Sequence, residues 1–185
     1  MEKKMKAYNN DKKLKEAILK EVIKHRKADQ IIKGTYGQGA NGDWKGCAVG
    51  CAVHSLNKLL GKTYATGDHS VYETELGIPK ELAYLEDALF EEMSVKDSKT
   101  WPEKFLKAIP VGADLSKVIA KFVIWEFEDN KKGLKNLKEV KEDKEVYGFC
   151  EEVVALYKRE LAGAKPSQED FLELYNRIDR SEARA

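Results

Sequence analysis

Cysteine is scarce in this sequence, with three in 185 residues, and an excess of charge is almost missing, with 33 basic against 32 acidic side chains. So few cysteines, and an odd number, exclude a fully paired disulfide framework of the secreted kind and point to a reducing compartment, the cytoplasm. The balanced charge removes the one-signed stripe by which nucleic-acid binders displace counterions. No segment interleaves basic side chains with aromatics, so duplex nucleic acid is not an expected partner. No run approaches the roughly 18 apolar residues of a membrane span, and the lysine-rich start at residues 1–6 has no apolar region behind it. Neither membrane insertion nor secretion is expected.

What is present reads as helix. The length suits one domain with a core of its own, and the pattern predicts an all-α, single compact domain of about seven to nine helices over residues 1–180. Residues 11–94 form a site-bearing half, 100–180 a helical C-terminal half, and 181–185 a frayed tail. Leu14, Ile18, Val22 and Ile32 recur at helical spacing, predicting an amphipathic helix from Asp11 to about Lys33. His25 and Asp29 fall on its inner stripe, where apolar residues would be ordinary.

Residues 34–46, GTYGQGANGDWKG, hold five glycines and no period, and read as a loop. The next run, CAVGCAVHSLNKLL, is small and apolar on nearly every face until Ser55. It predicts a buried helix beginning near Cys47 and closed by Gly61 as a left-handed cap. Gly50 inside it costs about 1 kcal/mol of helix propensity relative to alanine, which a close helix contact would offset. Gly77 and Pro79 separate two further helices, the second carrying Leu82, Leu85, Leu89 and Met93, and Pro102 starts another behind Trp101. Asp114 should cap a segment whose Leu115, Val118, Phe122 and Trp125 face inward. Two later stripes follow, Val146/Phe149/Val153/Tyr157 and Phe171/Leu172/Tyr175/Ile178, the last opened by Ser167 as cap.

All three histidines, His25, His54 and His69, and two of the cysteines, Cys47 and Cys51, lie within 45 residues. This places the candidate site between Glu21 and Glu73. Cys47, Cys51 and His54 sit at i, i+4 and i+7 on one helix face, and His69 is near enough to fold back. These four would be the ligands if a metal were bound, although structural zinc cysteines usually sit closer together on a loop. Cys47 at a helix start, with His54 or His69 as base, would be the nucleophile if the protein were an enzyme.

The glycine loop ending at Lys45 and Gly46 has the form of a phosphate cradle, since the free N–H groups of a helix start favour an anion. It fits neither the P-loop nor the dinucleotide fingerprint, and no cofactor is expected. His25/Asp29 and His69/Glu73 form two histidine–acid pairs at i, i+4. The candidate ligand-binding set is therefore His25, Arg26, Asp29, Tyr36, Trp44, Lys45, Gly46, His54, His69, Tyr72 and Glu73, a group suited to a small polar ligand.

The runs ADQIIKGTYG, KGCAVGCAVHS, HSVYETELGIPKELAYLEDALFEEM and WPEKFLKAIPVGADLS occur in that order between residues 28 and 116, within a stretch of roughly 20–127. In this the chain resembles an uncharacterised family of small proteins seen in bacteria, prophages and phages. It departs from that family's pattern in a longer loop at 37–44 and a charged C-terminal extension. A phage-type protein of this size without a complete catalytic motif implies capture, in the host cytoplasm, of a nucleotide-derived or phosphorylated small molecule such as an immune signal. Two alternatives are a Cys/His or metal-dependent hydrolase of a similar ligand and a protein-interaction module. The apolar C-terminal stripes could support a homodimer.

Overall fold

The computed structural model describes residues 5–40, 43–164 and 166–182. Among these residues the protein is all-α, with ten α-helices and no strand. Two of the ten, Val95–Ser98 and Lys138–Glu142, are single turns of four and five residues, which is why the number exceeds the expected seven to nine. The chain divides into two compact units, Met1–Ser116 and Lys117–Ala185. No helix among the described residues is long and apolar enough to cross a membrane.

In the first unit, α1 (Lys12–Lys27) starts where the Asp11 carboxylate accepts the Lys13 N–H. It ends well short of Lys33. Asp29 takes a positive φ of 53°, a left-handed conformation that aspartate tolerates and a continuing helix does not. Ile31 and Ile32 therefore leave the helix and enter a short bridge, with Ile32 N–H donating to Gly46 O and Gly46 N–H to Gln30 O, both at 2.9 Å. A second bridge pairs Gln38 with Lys45 through two 2.9 Å bonds. The glycine segment is thus pinned at its ends, and not a featureless loop.

Helix α2 (Ala48–Leu60) is the buried centre of this unit. Val49, Cys51, Ala52, Val53 and Leu56 are fully sequestered, each large apolar side chain contributing about 1.5–3 kcal/mol by leaving water. It packs against α1, α3 (Ser70–Leu76), α4 (Lys80–Glu92) and α6 (Trp101–Ala108). Gly61 (φ 64°) and Gly77 (φ 60°) close α2 and α3 as left-handed caps. A β-carbon on Gly50 would lie 1.8 Å from the Tyr36 carbonyl oxygen, so the glycine is what lets the bridged loop rest on α2. α5 (Val95–Ser98) is capped by the Ser94 hydroxyl, which accepts the Asp97 N–H at 3.1 Å.

The second unit holds α7 (Val118–Glu128), α8 (Lys138–Glu142), α9 (Lys144–Leu161) and α10 (Gln168–Glu182). Its core is Phe149, Leu156 and Leu174, with Val153, Phe171 and Ile178 packed against it. Two expected inward faces hold only in part, Phe171 and Ile178 packing inward and Leu115 being buried. On α7 it is Ala120 that is buried, while Trp125 is half exposed; on α10 Leu174 is buried and Leu172 and Tyr175 face out. Ser167 does cap α10, accepting the Asp170 N–H at 3.1 Å while Asp170 accepts the Ser167 N–H at 2.7 Å. That helix runs on through Glu182, so the expected frayed tail does not begin at 181, and residues 183–185 lie outside the described residues.

Candidate functional site

The sequence-predicted residues separate into two groups on the first unit, plus several that serve the fold. The first group is a cleft of about 180 Å³ lined by His25, Trp44, His54, Ser55, Glu21, Lys24, Gln30 and Lys58. Three structural features assemble it. The His25 ring at the end of α1 is held between the Gln30 side-chain amide at Nδ1 (2.8 Å) and Ser55 Oγ at Nε2 (3.1 Å). The Ser55 hydroxyl itself donates to Cys51 O at 2.7 Å. The bridged loop then lays Trp44 over His54, with ring centroids 4.0 Å apart and planes within 15°.

Charge in the cleft is arranged around one carboxylate. Glu21 is buried and pairs with Lys24 and, at 3.4 Å, with Lys58. The hydrogen bond from Lys24, followed by the charge of Lys58, holds its carboxyl below the ordinary range. Two ammoniums against one carboxylate leave the cleft with one positive charge in excess. Both histidines are held towards the neutral form, His25 by burial and then by His54, His54 by burial and then by Lys58. His54 makes ring contacts but no hydrogen bond to any other described residue, so its nitrogens remain available.

The second group lies where the start of α2 meets α4. Cys47 caps α2, its Sγ accepting the Gly50 N–H at 3.4 Å. One donor atom each from Cys47, Asp87 and Glu91 lie within 4.8 Å of one another. His69 bridges Gly67 O through Nδ1 (3.0 Å) and Asp87 Oδ2 through Nε2 (3.2 Å). Tyr84 stacks on the His69 ring at 4.1 Å and Tyr36 meets its edge at 5.6 Å. Glu91 accepts the Gly34 N–H with both oxygens, at 3.1 and 3.0 Å. Burial first, then Asp87, raises the Tyr36 phenol, and burial pushes the Cys47 thiol up to about 12.

This geometry revises several expectations. A reactive, acidified Cys47 is not what the structure holds: its thiol is 1 % exposed, its acidity is suppressed, its neighbours include the Gly50 N–H and the Asp87 carboxylate, and no histidine hydrogen-bonds to it to take its proton. Cys51 turns its buried Sγ to Gly46 O at 3.4 Å, and His54 is turned to the Trp44 cleft, so Cys47, Cys51, His54 and His69 do not form one ligand set. His25 and Asp29 are not a pair, because Asp29 sits past the helix end, 70 % exposed, against Lys99. Arg26 belongs to Glu103, at 3.0 Å.

His69 and Glu73 also part: Glu73 accepts the Lys80 N–H at 3.3 Å at the start of α4. Tyr72 is wholly buried, its hydroxyl donating to Glu86 Oε2 at 2.6 Å. The phosphate-cradle expectation fails for a plain reason. The Lys45 and Gly46 N–H groups are already given to Gln38 O and Gln30 O, and Cys47 N–H to Thr35 O at 2.8 Å.

Sequence reasoning missed Lys24, Lys58, Asp87, Glu91 and Tyr84. Lys58 stands four residues after His54 and Glu91 four after Asp87, a spacing that places each pair on one helix face. Among so many charged helix positions, that spacing marks nothing by itself. The chain matches no known family model, no curated protein and no solved structure, and the reading of the site rests on its own geometry.

Proposed function

We propose that the first unit binds a small phosphorylated or nucleotide-derived ligand in the His25–Trp44–His54 cleft and releases it unchanged. The observation that carries this reading is the pairing of an unbonded His54 and a stacked Trp44 with two lysines that share a single carboxylate. A cleft with one excess positive charge and neutral imidazoles favours an anion whose oxygens accept hydrogen bonds. At about 180 Å³ it is smaller than the 300–1,000 Å³ typical of drug-sized sites, so it takes a phosphate or one ring, with the rest of the ligand on the surface. Capture of a signalling nucleotide, the role the sequence resemblance implies, would need this binding and no chemistry.

Calorimetric titration of the full chain with inorganic phosphate, cyclic nucleotides and ADP-ribose derivatives tests the proposal. At least one ligand should bind at one per chain and be recovered intact. Lys58→Glu, which reverses the local charge, should weaken that binding at least tenfold, and Trp44→Ala should do the same. No binding across the panel, or binding indifferent to both substitutions, would overturn it.

A further inference from the structure

Outside the cleft, the meeting point of α2 and α4 brings a buried thiol together with two carboxylates. Cys47 Sγ and a carboxylate oxygen from each of Asp87 and Glu91 converge within 4.8 Å. No lysine or arginine among the described residues lies within ion-pair distance of either carboxylate; their partners are His69 and the Gly34 N–H. Asp87 also lies close to the Cys47 thiol and the Tyr36 hydroxyl. Its Oδ2 faces His69 Nε2 at 3.2 Å, whereas Oδ1 is buried and has no hydrogen-bond partner. A buried carboxylate oxygen with open lone pairs is costly to leave so, and a cation beside it would remove that cost.

We infer that Cys47, Asp87 and Glu91 bind a divalent transition-metal ion of the zinc class, joining the start of α2 to α4. The donor set selects the ion. One thiolate with two carboxylates suits borderline ions such as Zn²⁺ or Co²⁺; calcium and magnesium prefer all-oxygen shells. Zinc bonds of about 2.3 Å to sulfur and 2.0–2.2 Å to oxygen place tetrahedral ligands roughly 3.3–3.6 Å apart, which the three atoms reach by a small contraction.

The surrounding groups fit the same assignment. His69 is a positioning residue: anchored on Gly67 O and covered by Tyr84, it fixes Asp87 Oδ2 and leaves Oδ1 for the ion, as outer-shell histidine–carboxylate pairs do. Three protein donors leave a fourth position open. On binding, the Cys47 thiol gives up its proton to solvent as the sulfur–metal bond forms. This ligand set shares only Cys47 with the one that helical spacing suggests, and it does not depend on the proposed ligand cleft.

The test uses the full chain, stripped with chelator and titrated with Co²⁺, then Zn²⁺. One equivalent of Co²⁺ should produce a sulfur-to-cobalt charge-transfer band and the intense visible bands of tetrahedral coordination, displaced by Zn²⁺. Cys47→Ser should abolish the charge-transfer band, while Cys51→Ser, a buried cysteine outside the set, keeps it. Glu91→Gln, on a half-buried side chain, and His69→Ala should each weaken binding at least tenfold, with circular dichroism confirming the helical fold. Absence of stoichiometric binding by the unsubstituted chain, or a band that survives Cys47→Ser, would overturn the inference. So would Glu91→Gln binding as tightly as the parent.

Discussion

Replacing Gly50 with alanine sets two physical effects against each other, and the structure says which wins. In an isolated helix the change would stabilise by about 1 kcal/mol, because glycine loses more backbone freedom on folding. Here the new β-carbon would stand 1.8 Å from the Tyr36 carbonyl oxygen and 2.7 Å from its carbon, both backbone atoms of a segment pinned by bridges at its ends. To reach 3.4 Å, the start of ordinary contact, the carbonyl must retreat by about 1.6 Å. Overpacking of that kind costs about 1–3 kcal/mol, and the loss of the Thr35 O to Cys47 N–H bond at 2.8 Å adds to it.

We expect a net loss of about 2 kcal/mol, which at a urea slope of about 2 kcal/mol per molar lowers the midpoint by about 1 M. Gly148 in α9 is the matched control. Beyond its chain neighbours and its own helix backbone, no heavy atom of the described residues lies within 4 Å of its β-carbon position, so Gly148→Ala should stabilise by about 0.5–1 kcal/mol. Urea unfolding followed by far-UV circular dichroism reads both. A Gly50→Ala chain as stable as the parent, or more so, would refute the close approach of loop and helix.

Three further outcomes follow. Glu86 is wholly buried, and burial, with Asp87 beside it, raises its carboxyl to about 8 from 4.5. The folded chain then holds a proton that the unfolded chain has lost between pH 4.5 and 8; the stability tied to it is full below that window and gone as pH rises through 8. Glu86→Gln should flatten this slope and gain most relative to the parent near pH 9, measured by denaturant midpoints at pH 5 and 9. Tyr8→Phe removes the buried hydroxyl that bonds Leu106 O and should cost about 1–3 kcal/mol in urea unfolding. Asp29→Asn should leave ligand affinity unchanged by calorimetry, because Asp29 faces solvent beside Lys99 and not the cleft.

The parts of the fold that were legible are those where one local rule acts alone. α2 announces itself by an unbroken run of small apolar residues with a glycine stop, and Gly50 signals a close contact because nothing else explains glycine there. The end of α1 was hidden because Ile32 continues the helical period by coincidence; what stops the helix is the positive φ of Asp29, which periodicity does not register. On α7, VIAKFVIWEFE is apolar on nearly every side, so the spacing leaves its phase open, and packing on α9 buries Ala120 instead of Trp125.

The candidate site was legible as a neighbourhood and not as a geometry. The histidines do cluster: His25 and His54 meet where α1 packs on α2, and Trp44 joins them because the segment before α2 folds back through two bridges. His69 goes to the other group because α4 brings Asp87 to it, from outside the window that rare residues defined.

Native mass spectrometry of the full chain as purified, with the same sample denatured and its released small molecules weighed, tests the binding assignment most directly. The account predicts a nucleotide-sized adduct, freed intact on denaturation and missing from the Lys58→Glu protein. A bare chain that also takes up none of the phosphate, cyclic-nucleotide and ADP-ribose ligands added to it would contradict the account.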